Sequence, residues 1–110
     1  GLAVGIISNW DSRLVRLLHG LGLGDTVETI VSSADVGLHK PDPRIFRLAC
    51  DRLGVEPEAA AHVGDHHYAD YLGATALGMR AVLIDRHGVD AGHGVVPIHS
   101  LDSLEDALGI

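Results

Sequence analysis

The chain has 110 residues, 46% of them hydrophobic, which is enough for one core and too little for two domains. Fifteen acidic against eight basic side chains give a net charge of -7, which argues against nucleic acid as a partner because its binders present a basic face. No apolar run approaches the ~18 residues that span a bilayer, so we expect no membrane segment and a cytoplasmic location.

The predicted elements begin with two units in which a strand precedes a helix. Residues 2–7 form an apolar run typical of a strand buried on both faces, and leucines at helical spacing predict a helix over residues 14–21. A strand rich in β-branched residues follows at residues 26–31. The next helix, at residues 43–53, has a proline in its first turn and a glycine after its end.

Further elements continue the alternation to the end of the chain. The pattern predicts a strand at residues 60–63, a helix at 68–77, a strand at 81–84, a short strand at 95–98 and a terminal helix at 101–108. Strands alternating with helices at this spacing favour an α/β fold, Rossmann-like, with a mostly parallel sheet and flanking helices.

Ser8 and Asn9 end the first predicted strand just before a helix. Open α/β sheets bind ligands beyond the carboxyl ends of their strands, and a hydroxyl with successive backbone amides at that place suits an anion. The alternative is that both side chains only satisfy the backbone of the turn.

Lys40 is the only lysine of the chain, since every other basic residue except histidine is an arginine. It follows the second strand, and the prolines at positions 41 and 43 restrict the backbone around it. A lysine in a chain that otherwise uses arginine indicates that this position needs a compact ammonium group. The alternative is a lysine on a solvated loop.

Asp65 and Asp70 follow the third predicted strand, with Gly64 at the turn. Two carboxylates at such a place can hold a hard cation such as Mg²⁺ through oxygen ligands. The alternative is that they complement the dipole of the next helix. Because Ser8 and Lys40 stand at neighbouring strand ends, the metal site is the favoured interpretation.

Three other patterns carry less weight. Residues 20–24 read GLGLG but follow a helix, so they indicate a helix stop and not a dinucleotide loop. His66 and His67 with Asp70 are a weak zinc pattern, because no Cys or His partner stands at a familiar spacing. Cys50 lies in a predicted helix, where a buried free thiol is expected.

Three stretches in this order, IISNWD, GLHKPDPRIF and HVGDHHYADYLGATALGM, resemble the second, third and fourth motifs of the haloacid dehalogenase-like (HAD) hydrolases. Each motif alone is moderately specific, but their joint order and separation are a strong signal. The resemblance implies that Ser8 and the amide of Asn9 bind a substrate phosphate and that Lys40 bridges this phosphate and a nucleophilic carboxylate. It also implies that Asp65 and Asp70 serve Mg²⁺.

The family's nucleophile is an aspartate in a first motif of form DxDxT, which forms a phosphoaspartyl intermediate that water hydrolyses. This sequence has no such motif. The nearest candidate is Asp85, which follows a strand, but His87 stands at the position where the second aspartate of the motif belongs. Residues 1–110 are therefore expected to be part of a HAD-like core, without the motif I strand and the cap domain, and inactive in isolation.

The function implied for the complete protein is a Mg²⁺-dependent phosphatase acting on a small phosphorylated molecule. One alternative is a metal-independent 2-haloacid dehalogenase, but such enzymes typically carry serine where Asp65 stands. Two further alternatives are a catalytically incomplete phosphate-binding fragment and a non-catalytic α/β module. The module would need an acidic phosphorylation site of its own. The oligomeric state stays open.

The resemblance also places the motif I strand in the middle of the sheet, between the strand that ends at Ser8 and the one that ends at Asp65. Each buried backbone group left without a partner costs on the order of 1 to 3 kcal/mol. We therefore expect that the chain alone either pairs these two strands directly or is marginally folded.

Overall fold

The computed structural model describes residues 3–10, 13–22, 27–86 and 94–109. The strands within these residues are β1 (Gly5–Ser8), β2 (Thr29–Ser32), β3 (Ala61–Gly64) and β4 (Arg80–Leu83). The α-helices are α1 (Arg13–Gly20), α2 (Ser33–Val36), α3 (Pro43–Leu53), α4 (Gly73–Leu77) and α5 (Leu104–Leu108). Two 3-10 turns span Pro57–Ala59 and Leu101–Ser103, and a π-helical turn spans His67–Leu72.

The strands pair in parallel, as predicted, but they form two sheets. Strand β1 pairs with β2, with Ser8 opposite Ser32, and β3 pairs with β4, with Gly64 opposite Leu83. In the part of the chain that the structure describes, no ladder joins β1 to β3. The α/β class with parallel strands is confirmed. Direct pairing of the two strands across the gap, one of the two expected outcomes, is not seen among the described residues.

Helix α3 has the bounds that the sequence predicts, because local signals define both of its ends. Asp42 caps the first turn by accepting a hydrogen bond from the Arg44 amide at 2.9 Å. Pro43 occupies the first helical position, where no backbone donor is needed. Gly54 ends the helix at a positive φ of 70°, which glycine adopts without strain.

The core lies around α3, which contacts β1, β2 and α4. Ile45 and Phe46 of this helix are fully buried, and so is Val31 of β2. The remaining buried members of the cluster are Ala49, Cys50, Ala74 and Met79. Helix α3 therefore connects the two sheets through side-chain packing. The prediction of a buried Cys50 thiol is confirmed, and burial raises its pKa.

Strand β1 is less buried than its apolar sequence predicts. Each of its residues is half-buried, and the preceding Val4 is 49% exposed. Among the described residues, β1 has a ladder partner on one edge only, which is β2, so its other edge is left without a neighbouring strand. The prediction of full burial is therefore wrong. Leu2 and Thr26, predicted as the first residues of two strands, lie outside the described residues.

Later elements differ from the predictions in detail. The helix predicted for residues 68–77 is a π-helical turn followed by α4, and residues 95–98 form only one parallel bridge, between Ile84 and Ile98. Ser100 caps the terminal helical segment by accepting a hydrogen bond from the Asp102 amide. Among the described residues, no helix combines the length and the apolar character needed to cross a membrane.

Candidate functional site

Asn9 connects the end of β1 to the segment that carries Lys40. Its side-chain amide donates to the Lys40 carbonyl at 3.1 Å, and its side-chain oxygen accepts from the Lys40 backbone amide at 2.8 Å. The peptide bond between Lys40 and Pro41 is cis. Both polar atoms of the Asn9 side chain thus hold the backbone of Lys40.

The Lys40 ammonium points at Asp70. The distance between Nζ and Oδ1 is 2.5 Å, with the Lys40 side chain 12% exposed and that of Asp70 5% exposed. These residues are 30 positions apart, so only the packing of the π-helical turn against β3 and β4 brings them together. A largely buried ion pair of this kind fixes where the single lysine charge lies.

Asp70 accepts three hydrogen bonds from the residues that the structure describes. His62 Nε2 lies 2.9 Å from the same Oδ1, and the backbone amide of His66 donates to Oδ2 at 3.1 Å. Burial raises the pKa of the Asp70 carboxyl, but hydrogen bonds from His62 and Lys40 and their charges outweigh burial and hold that pKa well below its ordinary value. Asp70 is therefore an ionised acceptor at neutral pH.

Gly64 makes room for this carboxylate. A Cβ built at position 64 would lie 2.2 Å from the Asp70 Cγ, far inside any real contact distance. The sequence pattern singled out Gly64 as a turn residue, but the structure assigns it a steric role, because the Asp70 side chain lies against the end of β3. A residue with any side chain at position 64 would displace the acceptor of Lys40.

His62 is a site residue that the sequence analysis missed. It lies on β3, two positions before Gly64, so both face the same side of the strand. The only signal available was a histidine inside a short apolar strand, which is more often a residue of the core. Its ring also contacts Phe46 edge-on, with centroids 5.0 Å apart and an interplanar angle of 82°.

His66 and His67 have other roles than metal binding in this arrangement. His66 Nδ1 accepts a hydrogen bond from the Ala69 amide at 3.0 Å and so caps the π-helical turn. The His67 ring stacks on Tyr71, with centroids 5.7 Å apart. Within the described ranges, no group of three or more His, Cys, Asp or Glu side chains is arranged to hold a metal ion.

The predicted site residues therefore fall into two groups. Asn9, Lys40 and Asp70 are joined by direct hydrogen bonds. Ser8 and Asp65 lie near this group because of their positions in the chain. Ser8 is half-buried at the end of β1, beside Asn9. Asp65 is exposed and directly follows Gly64 at the end of β3. The segments that follow β1, β2 and β3 thus meet at one edge, where an ammonium, a hydroxyl and a carboxylate are available.

Known proteins share this arrangement of elements. The family model described as haloacid dehalogenase-like hydrolase matches residues 1–78. Haloacid dehalogenase-like hydrolase domain-containing protein 3 of Danio rerio is 42% identical over 96% of this chain and 44% of its own length. (S)-2-haloacid dehalogenase 4A of Burkholderia cepacia is 35% identical over 96% of this chain and 46% of its own length.

A solved structure agrees with the family model and with these two relatives. The crystal structure of a HAD phosphatase from Thermococcus onnurineus superposes with a TM-score of 0.92 at 37% identity, covering 99% of this chain and 51% of that one. The chain thus spans about half the length of the proteins it matches. Its motifs, its parallel strands and its similarity to these proteins agree: the chain belongs to the haloacid dehalogenase-like hydrolase family.

Proposed function

We propose that the protein to which this chain belongs is a Mg²⁺-dependent phosphatase that hydrolyses a small phosphomonoester, with its aspartate nucleophile outside this chain. The observation that carries the proposal is the Lys40 ammonium, held at the strand-end edge by Asp70. Residues 1–110 are then one part of the core domain, since the matched relatives are about twice as long.

Lys40 supplies the positive charge for phosphate. An ammonium group has three N–H donors, and the bond to Asp70 uses one of them, so two remain for anionic oxygens. Ser8 adds a hydroxyl, and the backbone amide of Asn9 adds another donor at the end of β1. Preorganised donors of this kind stabilise the charge that develops on a transferred phosphoryl group.

The donors of this chain fit Mg²⁺ in part. Asp65 carries an exposed carboxylate beside the edge, and hard cations prefer such oxygen ligands. Asp70 is 3% exposed and both of its oxygens accept hydrogen bonds, so it fits the role of a partner to Lys40 better than that of a direct ligand. The other ligands would come from the rest of the protein and from the substrate. A bound Mg²⁺ would polarise the phosphoryl oxygens.

The main rival is 2-haloacid dehalogenation, the activity in the name of one relative. An ammonium at the strand edge suits the carboxylate of a haloacid as well as it suits a phosphate. Asp65 distinguishes the two, because an exposed carboxylate beside the site offers the oxygen ligands that a hard cation prefers. Halide displacement needs no such cation.

The test uses the complete protein with its nucleophile. We expect phosphate release from a generic phosphomonoester that requires Mg²⁺ and stops with a chelator. Asp65→Asn should remove most of this activity because an amide is a poorer ligand for a hard cation, and Lys40→Arg should also be damaging because a guanidinium cannot reproduce a point charge. Asp51→Asn, which changes an exposed carboxylate on α3, is the matched control and should keep wild-type turnover.

Two results would overturn the proposal. One is metal-independent halide release from a 2-haloacid with no phosphatase activity. The other is near wild-type phosphatase turnover in both the Asp65 and the Lys40 variants.

A further inference from the structure

Three largely buried side chains, from His62, Asp70 and Lys40, form a continuous hydrogen-bonded chain. His62 Nε2 lies 2.9 Å and Lys40 Nζ 2.5 Å from the same oxygen of Asp70, Oδ1. The side chains of His62 and Lys40 are each 12% exposed. Because Asp70 is ionised and can only accept, Nε2 of His62 must carry the proton.

The His62 ring is held by a neighbouring ring and by its own strand. Phe46, which is fully buried in α3, makes a T-shaped contact with the ring, and the backbone of His62 belongs to β3. Gly64, on the same face of β3, lets the Asp70 carboxylate lie against the strand within reach of the ring. The imidazole therefore presents its proton in one direction, toward Oδ1.

Asp70 without this donor would be poorly fixed. Its Oδ2 would keep the His66 amide, but its Oδ1 would keep only the Lys40 ammonium, which is carried on a flexible four-carbon stem. The ammonium and the carboxylate could then move together, and the charge at the phosphate site would lose its fixed place. Removing an outer partner that orients a metal-binding side chain typically lowers affinity or activity by about 10- to 100-fold, and we expect an effect of the same scale for a group that orients the Lys40 ammonium.

We propose that His62 is a positioning residue, which fixes Asp70 and through it the Lys40 ammonium at the edge where phosphate binds. The catalytic relevance rests on the proposed function, whereas the positioning of Lys40 does not. The opposing view is that His62 serves only the core, through its contact with Phe46.

Two substitutions separate these views because they remove different parts of the ring's function. His62→Gln keeps an N–H donor of similar reach and removes the aromatic contact. His62→Phe keeps an aromatic ring against Phe46 and removes the donor. His19→Gln, at an exposed position near the end of α1, is the control.

Lys40 is a suitable reporter because it is the only lysine of the chain. Lysine labelled with ¹³C at Cε gives one ε-methylene signal in the NMR spectrum. When the ammonium is held in one place, the two protons of this methylene differ in chemical shift from each other and from those of free lysine. Circular dichroism of the same samples shows whether each variant is folded. Inorganic phosphate is then titrated and followed by the same signal.

We expect His62→Gln and His19→Gln to keep the wild-type Lys40 signal, and His62→Phe to shift it toward free lysine while weakening phosphate binding by about tenfold. A folded His62→Phe variant with the wild-type signal would overturn the proposal. If that variant does not fold, a folded His62→Gln variant decides: a retained signal supports the proposal and a free-lysine signal overturns it. A third outcome separates the two proposals. If the wild type shows no response to phosphate and His62→Phe loses the fixed Lys40 signal, the phosphate site is refuted and the positioning role of His62 is supported.

Discussion

Replacing Gly64 by alanine tests the strand-end site with the addition of a single methyl group. The new Cβ would lie 2.2 Å from the Asp70 Cγ, whereas ordinary contacts of a Cβ begin at 3.4 Å. The carboxylate would have to move by about 1.2 Å, the difference between these distances. A shift of this size away from Lys40 and His62 would lengthen the 2.5 Å and 2.9 Å contacts beyond the range of a hydrogen bond.

The expected magnitude follows from two costs. Crowding a packed site costs typically 1 to 3 kcal/mol, and each lost hydrogen bond to a charged group costs about 1.5 to 3 kcal/mol. Because the backbone relaxes in part, we expect the free energy of unfolding to fall by about 2 to 4 kcal/mol, a large share of the roughly 5 to 15 kcal/mol of a domain. The melting temperature should fall by at least about 8 °C.

The assay is thermal unfolding followed by circular dichroism, with Gly20→Ala as the matched control. A Cβ at Gly20, the last residue of α1, meets nothing within 4 Å, so this variant should lose no stability and gain up to about 1 kcal/mol from helix propensity. Equal melting temperatures for Gly64→Ala and the wild type would refute the close packing of Asp70 against β3.

Two further predictions concern acid stability and the gap between the sheets. Because the pKa of Asp70 is lower in the folded state than in the unfolded state, its contribution to stability is complete above the ordinary aspartate pKa of about 4 and is lost as the pH falls below it. The difference in unfolding free energy between wild type and Asp70→Asn should therefore shrink as the solution is acidified in that range, and a constant difference would contradict the assignment. Adding a segment that supplies a motif I strand between β1 and β3 should raise the melting temperature, because it provides ladder partners for both strands. An unchanged melting temperature with and without that segment would show that no central strand is missing.

The sequence by itself determined the elements whose signals are local. Helix α3 is the clearest case, since Pro43 at its start and Gly54 at its end are read within a few positions of the helix. The parallel pairing of the strands was equally accessible, because the alternation of strands and helices leaves few other topologies. The order of the polar stretches after β1, β2 and β3 also indicated the family and the edge at which chemistry was to be sought.

Only the tertiary structure decided how those residues meet. No local pattern shows that the side chain of Asn9 holds the backbone of a residue 31 positions away, or that Asp70 pairs with Lys40. In the sequence, His62 is an ordinary strand residue. It lies beside the Asp70 carboxylate because its ring packs on Phe46 and because Gly64 has no side chain. Capping and periodicity act within about one helical turn, whereas these contacts depend on how α3 and the π-helical turn pack around β3, which is a property of the whole fold.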